Sequence, residues 1–285
     1  MENNKSYIVI ALGIIVVIVT ILGMNRGEQR GGDETLARIQ KNESVDVCVI
    51  VNPPYVMKDA KTRELSGHMY DAMKMITERM NVKMNVTETT YGNGAAELQS
   101  RRCDVVVADF FANIPRSMSV AFTRPPLFFV GESAIVRRDD TRFQNVKDIF
   151  EFDKPNITVA VATGESGDIY VKENFKNAKV NQIDVGSSDL SRFAVEVSAG
   201  RADVAIADAN SIALYAKAHL EVIDLFKNNS FGLNPVGWAV RQNDTAWLHF
   251  LEGSLQFLET QGTLQQLERK YNSHWLHEVK EYKVR

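Results

Sequence analysis

Two thirteen-residue segments set 99 positions apart repeat one another. Glu97–Asp109 reads ELQSRRCDVVVAD and Glu196–Asp208 reads EVSAGRADVAIAD, with six of the thirteen positions identical. Each copy predicts the end of a helix, a tight turn and a four-residue buried strand that stops on an aspartate. Two copies of one such unit predict two similar lobes rather than one continuous sheet, and 285 residues are enough for both. In open α/β sheets, ligands bind beyond the carboxyl ends of the strands. Asp109 and Asp208 are therefore expected to point into a shared crevice.

The flanking pattern agrees with an α/β chain. Val45–Val51 reads as a strand; Met69, Ala72, Met73, Ile76 and Met80 fall at helical spacing; Val82, Met84 and Val86 alternate as in a strand. A strand at Ile157–Ala162 and a helix at Ala209–His219 continue the alternation, which predicts mostly parallel sheets. The methionine stripe reads as core filling. Cys48 and Cys103 lie in or beside first-lobe strands and are expected as buried thiols, with a bridge between them as the alternative outside the cytoplasm.

Charge narrows the function classes. Lys and Arg number 33 against 36 Asp and Glu, a net −3, so there is no basic field to bind nucleic acid. Residues 6–24 carry no charge; at about 1.5 Å per residue they span roughly 28 Å, enough for a bilayer core. They predict an uncleaved transmembrane anchor, followed by a polar linker over 25–35. Lys5 before the segment and Arg26 and Arg30 after it leave its orientation to the rest of the chain. His274 and His277 lack further ligands nearby in sequence, so no metal or other cofactor is expected. No phosphate-binding glycine motif or nucleophile elbow is present.

Seven motif segments follow one another along the chain: Asn52-Pro-Pro-Tyr55, Gly67-His-Met-Tyr-Asp71, Asn113-Ile-Pro-Arg116 with Phe122-Thr-Arg-Pro125, Gly164-Glu-Ser-Gly167, Gly200 to Asp208, Pro235 to Arg241 and Gly262 to Tyr271. Their order and spacing resemble those of the family 3 extracellular solute-binding proteins, two-lobed receptors for amino acids and related solutes. The resemblance implies an α/β, two-lobed periplasmic-binding-protein fold of type II with its ligand cleft between lobes, beside the N-terminal transmembrane helix. It implies a first lobe over 36–130, a second over 131–232, a return to the first over 233–273 and a tail over 274–285. The chain is expected to cross between lobes near Phe128–Ser133 and Asn229–Trp238.

The same resemblance implies the site. Arg116 would hold a ligand carboxylate in bidentate fashion, aided by Ser166 and the amides of the loop beginning at Gly164, at a helix N-terminus. Asp208 would hold the ammonium; its alternative role is to cap the following helix. Asn52, Tyr55, Asp109, Phe111 and Trp238 complete the ligand-lining set. Three departures bear on the ligand. Asn52 stands where many relatives carry an aromatic. Asp109 replaces a small residue, which favours an amine-bearing ligand or neutralises Arg116 or Arg124. Glu165 replaces a hydroxyl residue in the anion-binding loop and adds negative charge there.

The expected function is a membrane-tethered, extracytoplasmic protein, periplasmic or extracellular, that binds an amino acid or similar small zwitterion for an ABC permease and is not an enzyme. The alternative is a ligand-sensing regulator of an envelope enzyme, as in the non-catalytic domain of a membrane-bound lytic transglycosylase. A third reading is a dehydratase like cyclohexadienyl dehydratase. It lacks its acid, because the position matching that enzyme's glutamate falls near Asn234-Pro235.

Overall fold

The computed structural model describes residues 34–185, 191–227 and 229–271. The predicted anchor at 6–24, most of the linker, and His274 and His277 lie outside the described residues. No helix among the described residues is long and apolar enough to cross a membrane.

The first half runs α1 (Glu34–Asn42), β1 (Ser44–Val49), a small hairpin β2 (Met57–Lys58) and β3 (Leu65–Ser66), α2 (His68–Met80), β4 (Lys83–Glu88), α3 (Gly94–Gln99), β5 (Val105–Val107), α4 (Ile114–Ser117) and β6 (Val120–Phe122). A ten-residue strand, β7 (Phe128–Arg137), then enters the second sheet, which continues through β8 (Thr158–Ala162), α5 (Ser166–Asn174), β9 (Lys179–Ile183), α6 (Arg192–Ser198), β10 (Val204–Asp208), α7 (Ala209–Ala218) and β11 (Val222–Asp224). The chain returns by β12 (Phe231–Val236) and closes with β13 (Ala239–Arg241), α8 (Thr245–Thr260) and α9 (Thr263–Lys270).

Two sheets result, ordered β4-β1-β5-β13-β6 and β11-β7-β10-β8-β9, with β12 paired to β7. They are mixed, not mostly parallel. β4-β1-β5 and β10-β8-β9 are parallel, whereas β13, β7, β11 and β12 pair antiparallel. The inner parallel strands β5, β8 and β10 read as apolar runs because they are buried within their sheets, whereas the edge strands β4 and β9 carry polar residues. Of the antiparallel strands, β7 and β12 carry the chain between sheets and back, and hydropathy alone does not distinguish them.

Helix α2 follows its predicted stripe: Met69, Ala72, Met73 and Ile76 are buried in the first core with Val47, Trp247 and Leu251. It begins after Gly67 at φ 114, where a Cβ would lie 2.4 Å from the Tyr55 carbonyl oxygen, so only glycine fits. Asn81 in the left-handed region ends it.

The sequence repeat is a structural repeat. Asp104 accepts the Asp46 amide at 3.1 Å and Asp203 accepts the Thr158 amide at 2.8 Å, each tying a turn to the parallel strand next to its own, β1 or β8. Glu97 pairs with Arg102 and Glu196 with Arg201. An arginine from a neighbouring antiparallel strand braces each copy. Arg241 Nη1 donates to the carbonyls of Leu98 (3.2 Å) and Cys103 (2.6 Å), and Arg137 Nη1 to those of Val197 and Ala202 (3.1 Å each). The four carbonyls sit at matching positions 99 apart. The bracing arginines do not, because they arrive on strands from outside the repeat.

Cys48 and Cys103 form a disulfide, Cα–Cα 5.6 Å, rather than two free thiols. β1 and β5 are adjacent parallel strands, so Cys48 in the first and Cys103 just before the second come within bonding reach. Closing a 55-residue separation restricts the unfolded chain by about 4 kcal/mol. The expected result of replacing both cysteines by alanine is a loss of that order in denaturant unfolding; unchanged unfolding would remove the bridge from the native state.

Candidate functional site

The repeat's two terminal aspartates meet. Asp109, just past β5, and Asp208, the last residue of β10, are 6% and 2% exposed, and the negative charge of Asp208 acts on Asp109. One lobe supplies each, and several contacts close the lobes on one another. The Asn210 amide donates to the Tyr55 hydroxyl, the Ser211 hydroxyl to Asn52 Oδ1 at 3.4 Å, and Arg116 Nη2 to the Gly164 carbonyl at 2.7 Å. Gly164 has φ +78, and a Cβ there would come within 3.1 Å of Gly92 backbone atoms, so glycine permits this approach. Beside the Asn52–Ser211 contact lies a groove of about 640 Å³, lined by Met57 and Lys58 from one side and by Phe193, Leu214 and Tyr215 from the other.

Arg116 is held in place from three sides. Asn113 caps the short helix α4 by accepting the Arg116 amide at 2.8 Å. The guanidinium lies 4.2 Å from the ring centres of both Phe110 and Phe111, and Nη1 donates to the Phe111 carbonyl at 3.1 Å. Among the described residues, two of its five donors are used, on the carbonyls of Phe111 and Gly164. Burial lowers its pKa to about 10, against the opposing pull of Tyr91, Asp109 and Glu165. It stays charged at neutral pH.

Asp208 fills the capping role and keeps one oxygen outside it. Oδ1 accepts the Asn210 and Ser211 amides at 3.0 Å each, capping α7, while Oδ2 is buried with no hydrogen-bond donor among the described residues. Asp109 accepts the Asn52 amide at 2.9 Å and the Tyr91 hydroxyl at 2.5 Å. Its carboxyl is raised to about 7, first by burial and then by Asp208. It lies in the field of Arg116.

The loop at Gly164 departs from an anion site. The Gly164 amide donates to Asp168, the Glu165 amide to the Ala162 carbonyl, and the Ser166 hydroxyl to Glu132 Oε2 at 3.0 Å. Glu165 itself is 2% exposed, with neither carboxyl oxygen partnered among the described residues. Acids occupy the neighbourhood where a ligand carboxylate was expected.

Tyr55 is buried and stacked on Phe128 with ring centres 5.3 Å apart; its hydroxyl reaches the interlobe contact. Asn52 orders the first-lobe wall by bonding Tyr91 as well as Asp109. Phe111 contributes a ring and a carbonyl to Arg116. Trp238 fills the first core with Met73 and Leu255, its amide donating to Thr123, and so supports the sheet rather than lining the acids.

Sequence reasoning missed Glu132, Tyr91, Asn210 and Asn234. Glu132 is fully buried in β7 and accepts Ser166 and, at 2.8 Å, the Asn234 amide. A lone acid inside the apolar run Phe128–Val136 was the available signal. Burial and the charges of Asp208 and Asp109 raise its carboxyl well above the usual range. The cleft thus gathers Asp109, Glu132, Glu165 and Asp208 within one another's fields, with Arg116 acting on Asp109 and Glu165.

A family model for bacterial extracellular solute-binding proteins, family 3, matches residues 45–274. The chain belongs to that family. Its members are amino-acid-binding proteins, usually serving ABC transport, with an extracytoplasmic domain. Among solved structures, the fold is similar to an ancestral amino acid-binding protein, AncCDT-1, a precursor of cyclohexadienyl dehydratase. That likeness has 26% identity and a TM-score of 0.72, covering 83% of this chain and 99% of that one. It is also similar to a mutant of ArgBP from T. maritima (25%, TM-score 0.73, covering 83% and 98%). The solute receptor for L-cysteine of Neisseria gonorrhoeae shares the fold at 17% identity (TM-score 0.74, covering 88% and 97%). No curated protein matches the chain in sequence.

Proposed function

We propose that the protein is a membrane-tethered, extracytoplasmic receptor that closes its two lobes around an amino acid or similar small zwitterion and delivers it to an ABC permease. The observation that carries this reading is Arg116 on one lobe and, on the other, an oxygen of Asp208 with no donor among the described residues, both at the closed interlobe cleft. A ligand with a carboxylate and an ammonium spans such a pair and stabilises closure. The ancestral protein and ArgBP, similar at 26% and 25% identity, support the ligand class. The disulfide fits an oxidising compartment.

Thermal-shift measurement against an amino-acid panel is the test, with stabilisation by at least one member expected; a flat panel would overturn the reading. The tether rests on residues 6–24, and fractionation is expected to place the full chain in the membrane. Recovery of a soluble, N-terminally shortened chain would show cleavage.

A second reading, acid-assisted elimination in the cleft, gains a group from Glu132. Position 234 carries no carboxyl, yet Asn234 holds the buried Glu132 carboxyl in place. Incubation with prephenate or arogenate decides it, product formation being the result that would favour an enzyme.

A further inference from the structure

Glu165 and Asp208 are buried side by side, and three of their four carboxyl oxygens have no donor among the described residues. The two groups are within hydrogen-bond reach of each other. Two adjacent carboxylates cannot both stay ionised in a dry site; either a proton or a cation must lie with them. We propose that Glu165 and Asp208 form a cation seat, occupied by a proton until an ammonium or guanidinium group of the ligand displaces it, so that the cleft captures molecules of net positive charge. This rests on the receptor reading above and narrows its ligand class.

The surroundings fix which group carries the proton. Burial first, then the charges of Asp208, Glu132 and Asp109, raise Glu165 well above the usual carboxyl range. Asp208 is raised by burial but restrained by the Ser211 and Asn210 donors and by Glu165. Glu165 therefore donates and Asp208 accepts. The groups facing them are Asp109 beyond β5, Glu132 on β7, Tyr55 and Tyr91 from first-lobe loops, and Arg116 on α4. Arg116 sets its positive charge against Asp109 and Glu165. When a ligand cation enters, Glu165 releases its proton to solvent, so one positive charge arrives as another leaves. A neutral zwitterion would satisfy Asp208 but add a carboxylate beside Glu165. A basic amino acid and its decarboxylated amine share the required chemistry, and only the carboxylate separates them.

The test is isothermal titration calorimetry of the full chain with L-arginine, agmatine, L-alanine and L-glutamate, in two buffers of different ionisation enthalpy. Arginine, agmatine or both are expected to bind with release of about one proton per ligand. Affinity should rise with pH, by up to about tenfold per unit below the carboxyl's titration. Both binding places recognition in the cationic groups; arginine alone adds Arg116 to it; agmatine alone makes the ligand an amine. Glu165→Gln should abolish proton release and weaken the cations by about tenfold or more. Alanine or glutamate binding more tightly than either cation would overturn the seat and leave the receptor reading intact. Cation binding without proton release in the native protein would also overturn it, whatever the variant does. Binding by none of the four, with a flat amino-acid panel, would overturn both.

Discussion

Arg116→Ala is expected to abolish ligand-induced thermal stabilisation. A ligand at a hundred times its Kd stabilises the protein that binds it by about 2.7 kcal/mol, and losing one partner of a buried, hydrogen-bonded charge pair costs about 2–5 kcal/mol of binding. The second figure cancels the first. The variant also loses the Gly164 contact between lobes and the cation that faces Asp109 and Glu165, so the ligand-free protein should close less readily. Arg116→Lys separates these effects. Lysine keeps the charge but cannot keep the planar seat between Phe110 and Phe111 while reaching two carbonyls. Micromolar binding retained in Arg116→Ala would overturn the assignment of the carboxylate site.

Asp104→Ala is expected to cost about 3–5 kcal/mol of folding stability. Its carboxylate, only 3% exposed, pairs with Arg38 and Arg241 and accepts the Asp46 amide, so its removal leaves a largely buried Arg241 with one partner fewer. The repeat supplies a control. Asp203 makes the corresponding amide contact in the second lobe but is 19% exposed and pairs with the half-exposed Arg142. Asp203→Ala should cost about 1–2 kcal/mol, the amide hydrogen bond to a charged acceptor being its main loss. Denaturant unfolding of both variants checks the ordering; equal losses would remove burial as the cause of the difference.

What the sequence made legible follows from what repeats and alternates along it. The Glu97 and Glu196 segments announced two lobes and put Asp109 and Asp208 at strand ends facing each other; Met69, Met73 and Ile76 announced the buried face of α2. Properties set by neighbours distant in the chain stayed hidden. The Cys48–Cys103 bridge depends on β1 lying beside β5. The mixed sheets depend on β7, β12 and β13 running back, which changes no hydropathy period. Glu132 and Asn234 are 102 positions apart and meet only because β7 and β12 pair at the crossing. Glu165 stood out as a departure from the family pattern, but its place beside Asp208 depends on β8 and β10 pairing in the second sheet.

The paired braces of Arg241 and Arg137 bear on motion. Each fastens the helix end and turn of its own repeat to its own sheet, so each lobe keeps its shape without help from the other. Between them run only β7 and β12, zipped antiparallel from Phe128 to Glu132. Opening is then the swing of two stiff leaves on a two-ply strap, and the acids at the strand ends ride on the leaves, parting from one another without any strand having to unravel.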